Sequence, residues 1–244
     1  MLKILVTGIS GRMGQAVKQA VELNDGTEMA ATHDVGQDIA AAMSAADCAI
    51  DFSFHGFTPE LLATAVAQGK PLVIGTTGHT DEERAAIAEA AKQIPIVFAS
   101  NYSVGVNTLF WLTRKATQIL KDYDIEIIEM HHHHKLDAPS GTARTLAEVV
   151  CEETGMDYNT DVMHGREGLV GARPQRQIGM HSMRGGDVVG DHTVIYATDG
   201  ERVELTHKAS SRMTFAGGAV RAALWLAEKP AGLYNMQDVL GFTN

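Results

Sequence analysis

Short apolar runs alternate with amphipathic segments along roughly the first hundred residues. The runs are rich in Leu, Ile and Val and end in glycine or small polar residues; they lie at 1–7, 28–32, 48–53, 71–74 and 94–98. Runs of this length are typical of strands that are buried on both faces. Their alternation with helical segments predicts a parallel sheet with helices on both sides. The loops at the carboxyl edge of such a sheet are candidate ligand-binding loops.

The pattern changes beyond residue 103, where helices become sparse. The predicted elements are a helix over 107–120, a strand over 124–132, a helix after residue 143, a strand near 177–183 and a helix over 213–227. The apolar segments 193–198 and 202–206 flank Asp199-Gly200, which predicts a hairpin. The sequence therefore predicts an α/β protein: a Rossmann-like parallel-sheet domain from 1–102 and 213–244, and an α+β domain with an open mixed sheet from 103–212.

A strand, a glycine-rich turn and a helix at the start of the chain predict a dinucleotide site. Gly8 would form the tight turn, Gly11 would let the backbone approach a pyrophosphate, and Gly14 would let the helix pack closely. The first glycine is one residue early for the usual spacing, so a plain tight turn is the alternative. Arg12 favours phosphate, because its guanidinium pairs with phosphate oxygens. Asp34, 20 residues after Gly14, would accept hydrogen bonds from the adenine ribose.

Two further features bear on the cofactor. Val35 follows Asp34, so no arginine adjoins it to hold a 2′-phosphate, which favours NAD, although Arg12 could serve NADP. The loop at 75–78 is small and bounded by glycines, so a flat nicotinamide or ribose could lie against its backbone.

Composition and charge narrow the class of protein. The formal net charge of −10 argues against a nucleic-acid-binding protein. The chain shows no secretory segment and no apolar run long enough to span a bilayer, so we expect a cytoplasmic protein without membrane contact. Cys48 and Cys151 lack metal-ligand spacing.

The segment 129–143 holds the densest chemistry of the chain: four consecutive histidines from His131 to His134, Lys135, and a Pro-Ser-Gly-Thr turn before a helix. Backbone N–H groups at a helix start favour anions. If the histidines are extended, His131 and His133 face one side and His132 and His134 the other. The segment therefore predicts an anion-binding proton-transfer site. Because these histidines would point in opposite directions, they do not converge on one ion, and no metal is expected.

The run from His131 to Ala143 resembles the signature of the 4-hydroxy-tetrahydrodipicolinate reductase (dihydrodipicolinate reductase) family. Segments 11–14, 75–78, 101–107 and 207–212 resemble that family as well. The resemblance implies reduction of 4-hydroxy-tetrahydrodipicolinate, via dihydrodipicolinate, by NADH or NADPH in the diaminopimelate pathway of lysine biosynthesis. It also implies a homotetramer in which 103–212 binds a small dicarboxylate substrate and carries the tetramer contacts.

Residue roles follow from the same resemblance. His131 is similar to the family's proton donor and Lys135 to its acid or electrostatic partner. His132, Lys135, Ser140, Gly141 and Thr142 resemble its substrate contacts, whereas His133 and His134 receive no role. The residues that resemble its cofactor contacts are Gly8, Ile9, Ser10, Gly11, Arg12, Met13, Asp34, Gly75, Thr76, Thr77, Ala99, Ser100, Asn101 and Tyr102. Val35 departs from the NADP-preferring members, which carry Arg there.

Two other functions stay open at this level. One is another two-domain nicotinamide-dependent dehydrogenase that acts on a small carboxylate, such as a semialdehyde or amino-acid dehydrogenase. A semialdehyde dehydrogenase would need a nucleophilic cysteine in the site. The other is a non-catalytic nucleotide sensor, which would have no reason to carry His131 and Lys135 beside an anion site.

Overall fold

The structure, a computed structural model, describes residues 1–242. It forms two compact units, one from Met1–Val104 with the chain from Arg212 onward, the other from Gly105–Ser211. The expected boundaries, 1–102 with 213–244 and 103–212, differ from these by one or two residues.

The elements of the first stretch are β1 (Leu2–Thr7), α1 (Arg12–Glu22), β2 (Thr27–His33), α2 (Ile39–Ser44), β3 (Cys48–Asp51), α3 (Thr58–Gln68), β4 (Leu72–Ile74), α4 (Asp81–Ala90) and β5 (Pro95–Phe98). The second stretch contains α5 (Val104–Ile119), β6 (Asp124–His131), α6 (Gly141–Thr154), α7 (Tyr158–Asp161), β7 (Val162–His164), β8 (Ile178–Arg184), β9 (Gly190–Thr198) and β10 (Glu201–Ala209). The last stretch contains α8 (Met213–Leu226), β11 (Gly232–Tyr234) and α9 (Met236–Leu240). No helix among the described residues is long and apolar enough to cross a membrane.

The sheet of the first unit is parallel throughout, with the strand order β11-β5-β4-β3-β1-β2. This confirms the predicted Rossmann-like fold. The five predicted strands are present, but the sixth strand, β11, was not predicted. It has three residues including a glycine, and only its pairing with β5 makes it a strand.

Both faces of this sheet are covered, as a buried parallel sheet requires. In β1, Ile4 and Val6 join the cluster that α1 and α8 cover, while Leu5 points to the cluster under α3 and α4. Successive strand residues thus reach opposite faces. The sequence Thr80-Asp81-Glu82-Glu83 predicts a capping box at the start of α4, and this capping box is present.

The second unit contains an open mixed sheet, as predicted, with the strand order β10-β9-β6-β8-β7. β6 pairs in parallel with β8 and antiparallel with β9. The β9–β10 hairpin turns at Asp199-Gly200, where Gly200 has a positive φ of 89°. Alternate residues of β6, from Ile125 to His131, are buried. Glu129 and His131 therefore point to the same buried face.

Two adjacent glycines in α8 give a test of packing in the first unit. A Cβ on Gly218 would lie 1.8 Å from the carbonyl oxygen of Tyr102, whereas a Cβ on Gly217 would meet nothing within 4 Å. Alanine normally stabilises a helix interior by about 1 kcal/mol over glycine. We expect Gly217→Ala to raise the free energy of unfolding by up to about that amount. Gly218→Ala should lower it by about 1–3 kcal/mol, because overpacking dominates. Urea unfolding of both variants measures the two changes in the free energy of unfolding. Equal changes would contradict the close approach of Gly218 to the carbonyl oxygen of Tyr102.

Candidate active site

The glycine loop between β1 and α1 has the geometry that a dinucleotide requires. Gly8 adopts φ 70°, and a Cβ there would lie 2.4 Å from the carbonyl oxygen of Phe52. A Cβ on Gly14 would lie 2.1 Å from the carbonyl oxygen of Gly8, so only glycine lets α1 pack this closely. Gly11 is the N-cap of α1 and supplies no side-chain cap. The start of α1 is therefore suited to an anion.

Asp34 lies beside this loop. Its carboxylate accepts hydrogen bonds from the backbone N–H groups of Ser10 (2.8 Å) and Val35 (2.9 Å). Hydrogen bonds from the Ser10 side chain, then from these two N–H groups, lower the pKa of Asp34 below its usual value. Val35 is 97% exposed. The carboxylate is thus ionised and held in place at neutral pH.

A cavity of about 620 Å³ opens next to Asp34. It is lined by Gly8, Ser10, Gly11, His33, Asp34, Val35, Gly36, Gln37, Phe52, Ser53, Phe54, Gly56, Phe57 and Glu60. Four expected cofactor residues, Gly8, Ser10, Gly11 and Asp34, are among them. Ile9 and Met13 instead pack partly buried against the hydrophobic core, and Arg12 is exposed.

The loop after β4 is tied to a buried carboxylate that sequence reasoning missed. Asp51 is fully buried at the end of β3 and accepts hydrogen bonds from the hydroxyls of Thr7 (2.5 Å), Ser53 (2.5 Å) and Thr76 (2.6 Å). Thr76 Oγ1 also accepts from the N–H of Ser53 (2.9 Å). The Thr76 side chain is therefore used within the protein. A cofactor contact at residues 75–77 falls to the backbone, or to the Thr77 side chain.

The expected cofactor residues after β5 differ in their placement. Tyr102 is buried, and its hydroxyl lies 2.8 Å from the carbonyl oxygen of Ile74 and 3.0 Å from that of Val97. Its side chain is part of the core. Asn101 Oδ1 accepts a hydrogen bond from the N–H of Ser103 (2.8 Å), and with Ala99 and Ser100 it follows β5 at the carboxyl edge of the sheet.

In the second unit, the expected alternation of the four histidines is wrong. β6 ends at His131, and the chain then turns, with the N–H of Lys135 donating to the carbonyl of His132 (3.1 Å). The His133 and His134 rings lie 4.0 Å apart in this turn. The N–H groups of His132 and His133 donate to the carbonyls of Val188 and Gly186, so a neighbouring loop imposes the bend. Among residues 1–242, no group of three or more His, Cys, Asp or Glu side chains could hold a metal ion.

His131 is paired with a buried glutamate. Its Nδ1 lies 2.5 Å from Oε2 of Glu129, which is fully buried. Arg184 binds both oxygens of this carboxylate, with Nη1 3.0 Å from Oε2 and Nη2 2.8 Å from Oε1. Burial alone would raise the pKa of Glu129, but hydrogen bonds from His131, Arg184 and Ser182 lower it to about 2. Glu129 is therefore an anion throughout the neutral range.

The start of α6 adjoins this pair. The hydroxyl of Ser140 caps the helix by accepting from the N–H of Ala143 (3.2 Å), and it lies 3.0 Å from Nε2 of His192. The N–H of Ser140 donates to Oε1 of Glu129 (3.3 Å). Burial, followed by the nearby His131, lowers the pKa of His192 to about 3, so its ring is neutral. Ser140 thus has its polar groups committed to the protein.

The next two residues remain suited to an anion. A Cβ on Gly141 would meet nothing within 4 Å, so a ligand can approach its backbone, and Thr142 follows in the first turn of α6. Lys135 Nζ lies 2.9 Å from Oδ1 of Asp137, whose side chain is 64% exposed. The ammonium of Lys135 is held only by an exposed carboxylate among the residues described.

The parallel sheet and the glycine loop with Asp34 form a Rossmann-type unit, the fold class that binds nicotinamide cofactors in oxidoreductases. Two family profiles match: "Dihydrodipicolinate reductase, N-terminus" over residues 2–102 and "Dihydrodipicolinate reductase, C-terminus" over 105–240. The chain belongs to the dihydrodipicolinate reductase family.

Individual relatives of known name support this family membership. The chain is 67% identical over 244 residues to a 4-hydroxy-tetrahydrodipicolinate reductase of Akkermansia muciniphila, covering 100% of this chain and 99% of the relative. It is 46% identical to one of Magnetococcus marinus, with 99% of each chain covered. A dipicolinate-bound dihydrodipicolinate reductase from Paenisporosarcina sp. TG-14 superimposes with a TM-score of 0.76 at 25% identity, covering 98% of both chains.

The semialdehyde dehydrogenase alternative also lacks its nucleophile. Burial raises the pKa of Cys48 to about 12 and that of Cys151 to about 11, so neither thiol is activated.

Three residues that surround His131, namely Glu129, Arg184 and His192, had no role predicted from the sequence. Glu129 could have been found, because it precedes His131 by two residues on the same face of a strand. Arg184 could not, because it lies opposite His131 only through the β6–β8 register. His192 is likewise brought beside Glu129 by the β6–β9 register.

Gly190 offers a test of the space around His131. A Cβ at Gly190 would lie 3.0 Å from Nε2 of His131. We expect Gly190→Ala to displace this ring and lower kcat by about ten- to a hundredfold, the size of effect that a small misplacement of a reacting group produces. Steady-state kinetics measure the loss, with Gly217→Ala as the control. Unchanged kcat would show that Nε2 of His131 takes no part in turnover.

Proposed function

We propose that the chain reduces 4-hydroxy-tetrahydrodipicolinate, via dihydrodipicolinate, to tetrahydrodipicolinate with NADH or NADPH, in the diaminopimelate pathway of lysine biosynthesis. Family membership supplies the reaction. The observation that carries the site assignment is the pairing of His131 with buried Glu129 beside the start of α6. A histidine so held can deliver a proton next to an anion-binding helix terminus.

The proposed substrate contacts follow from its two carboxylates. One carboxylate accepts hydrogen bonds from the N–H groups of Gly141 and Thr142 at the start of α6. Lys135 supplies a positive charge, and the substrate competes with exposed Asp137 for it. His132 adds a polar contact from the turn. The bound dipicolinate in the Paenisporosarcina relative supports a small dicarboxylate as the substrate class.

The cofactor contacts are proposed on the glycine loop and the cavity beside Asp34. Residues 8–13 hold the pyrophosphate at the start of α1, and Asp34 accepts hydrogen bonds from the adenine ribose. Backbone groups at 75–77 and 99–102 contact the nicotinamide half. When bound, the nicotinamide supplies the hydride. Because Asp34 is anionic and exposed Val35 offers no cation to a 2′-phosphate, NADH should be used at least as well as NADPH.

The proton step falls to His131. Reduction of the conjugated ring leaves an electron pair of enamine character, which takes up one proton. Histidine is the usual side chain for such a step, because the pKa of an unperturbed imidazole, about 6.5, allows proton donation near neutral pH. Loss of water from the hydroxylated substrate precedes reduction.

We further propose that the protein is a cytoplasmic homotetramer. Thr117 of α5 bonds to Tyr196, and Ser140 at the start of α6 bonds to Glu129; Tyr196 and Glu129 lie on the same face of the second sheet. Met183, on the other face, is 47% exposed. That face is suited to bind further copies of the chain.

The reaction is tested by following NADH and NADPH oxidation with freshly generated 4-hydroxy-tetrahydrodipicolinate. The unmodified protein should turn over. His131→Ala should lower kcat by about 10²–10⁴-fold, as loss of a general acid does. Lys135→Ala should raise KM by about ten- to a hundredfold, because the substrate would lose the free energy of a hydrogen bond to a charged group.

The matched control is His133→Ala, which changes an exposed histidine of the same turn and should leave kcat and KM unchanged. Absence of turnover by the unmodified protein would exclude the proposed reaction. Full activity of both site variants would leave the reaction standing but remove the residue assignment.

Cofactor choice is tested by Val35→Arg. A guanidinium beside Asp34 can pair with a 2′-phosphate, so kcat/KM for NADPH should rise about tenfold or more relative to NADH. The control Leu23→Arg adds the same charge at another exposed apolar position and should leave the ratio unchanged. A strong preference of the unmodified protein for NADPH would refute the inference drawn from Asp34 and Val35.

A further inference from the structure

We infer that Glu129 is the positioning residue of the proton donor: its carboxylate holds the Nδ1–H of His131, so that the ring presents Nε2 for proton delivery. This inference deepens the proposed function and rests on it, since it takes His131 as the donor. It assigns Glu129 a role in the reaction that is exerted through the ring of His131.

The hydrogen-bond geometry fixes which nitrogen faces which partner. An ionised carboxylate can only accept, so the 2.5 Å contact between Oε2 of Glu129 and Nδ1 of His131 requires a proton on Nδ1. Nε2 has no hydrogen-bond partner among the residues that the structure describes. Gly190 leaves room there, because a Cβ at that position would come within 3.0 Å of Nε2. The neutral ring is therefore the Nδ1–H tautomer, and the proton to be delivered is the one on Nε2.

The carboxylate is itself immobilised. Oε1 accepts from Nη2 of Arg184 (2.8 Å) and from the N–H of Ser140 (3.3 Å), while Oε2 accepts from Nη1 of Arg184 (3.0 Å). The guanidinium is fixed in turn, because it donates to the carbonyls of Asp137 (2.7 Å) and Met183 (2.6 Å). A bidentate arginine fixes orientation as well as charge. The direction of the His131 ring is thus determined by β6, β8 and the start of α6 together.

The charges around His131 predict how the pair affects catalysis. Glu129 faces it from β6, Arg184 from β8 and His192 from β9; Lys135, in the turn, and His207, on β10, both act electrostatically on His192. The His192 ring is 5.2 Å away and neutral. Glu129 is therefore the negative charge in contact with the imidazolium, whereas Arg184, bound to the same carboxylate, opposes it. Removing the carboxylate's charge disfavours the protonated donor.

The same strand supplies a matched control. Glu126 lies on the other face of β6, and its carboxylate is also bound by arginine and histidine: Arg166 (2.8 and 3.0 Å), Arg173 (2.9 Å) and His181 (2.8 Å). Burial would raise the pKa of Glu126, but these hydrogen bonds lower it to about 2, as for Glu129. Neutralising Glu126 breaks a comparable ionic cluster without touching His131.

The experiment compares the pH dependence of kcat for Glu129→Gln, Glu126→Gln and the unmodified protein. The donor must be protonated, so activity falls on the alkaline side. In Glu129→Gln that alkaline limb should move to lower pH by about 1–3 units, the effect of losing an opposite charge in contact. Glu126→Gln should leave the alkaline limb of the kcat profile at the same pH, even if the substitution changes the stability of the protein. An unmoved limb in Glu129→Gln would overturn the inference.

A second measurement needs no variant and no turnover. The ¹⁵N shifts of the imidazole nitrogens in the unmodified protein report which nitrogen carries the proton, with exposed His133 as the reference signal. Neutral His131 should be protonated at Nδ1; an Nε2–H tautomer would overturn the inference even if Glu129→Gln fails to fold. If the unmodified protein shows no reductase activity, the proposed function fails, whereas the tautomer still decides whether Glu129 holds the ring.

Discussion

A carboxylate that is removed from water must be surrounded by donors, and this constraint shapes the candidate active site. Glu129 is fully buried, so it remains charged only because Arg184, His131, Ser182 and the N–H of Ser140 all bond to it. Removing one partner of a buried ionic group costs several kcal/mol, roughly 3–5. The requirement to satisfy one anion therefore fixes the end of β6, the end of β8 and the first residue before α6.

The first unit also contains a carboxylate that is removed from water, but its hydrogen-bond donors are of another kind. Asp51 is also fully buried, but its described side-chain partners are the hydroxyls of Thr7, Ser53 and Thr76 rather than a cation. These residues follow or end β1, β3 and β4, whose carboxyl ends carry the proposed cofactor loops. Hydroxyl donors hold the loops without adding a positive charge. In both units a buried carboxylate thus sets the shape of the loops at the ends of strands.

The two arrangements suit the two halves of the proposed reaction. The proposed cofactor contacts are mainly backbone groups and one half-buried carboxylate, Asp34, at the edge of the first sheet. The proposed proton donor, His131, needs a defined tautomer and a stabilised positive charge, and the carboxylate of Glu129 in contact with its ring can provide both. The neutral state of His192 prevents a second imidazolium from competing at 5.2 Å.

Features that depend on near neighbours in the chain could be predicted from the sequence. The apolar runs predicted five of the six strands of the first sheet. Thr80 and Glu83 predicted the start of α4, and Asp199-Gly200 predicted the β9–β10 hairpin. The family motif located His131, Lys135 and Gly141. The remaining features depend on contacts between residues that are distant in the sequence. β11 is a strand because β5 pairs with it, the histidine run bends because its N–H groups bond to the loop at 186–188, and Arg184 reaches Glu129 across 55 positions of sequence. Local patterns record turn, cap and burial preferences, but the partners of a buried charge are set by strand register, which no local pattern contains.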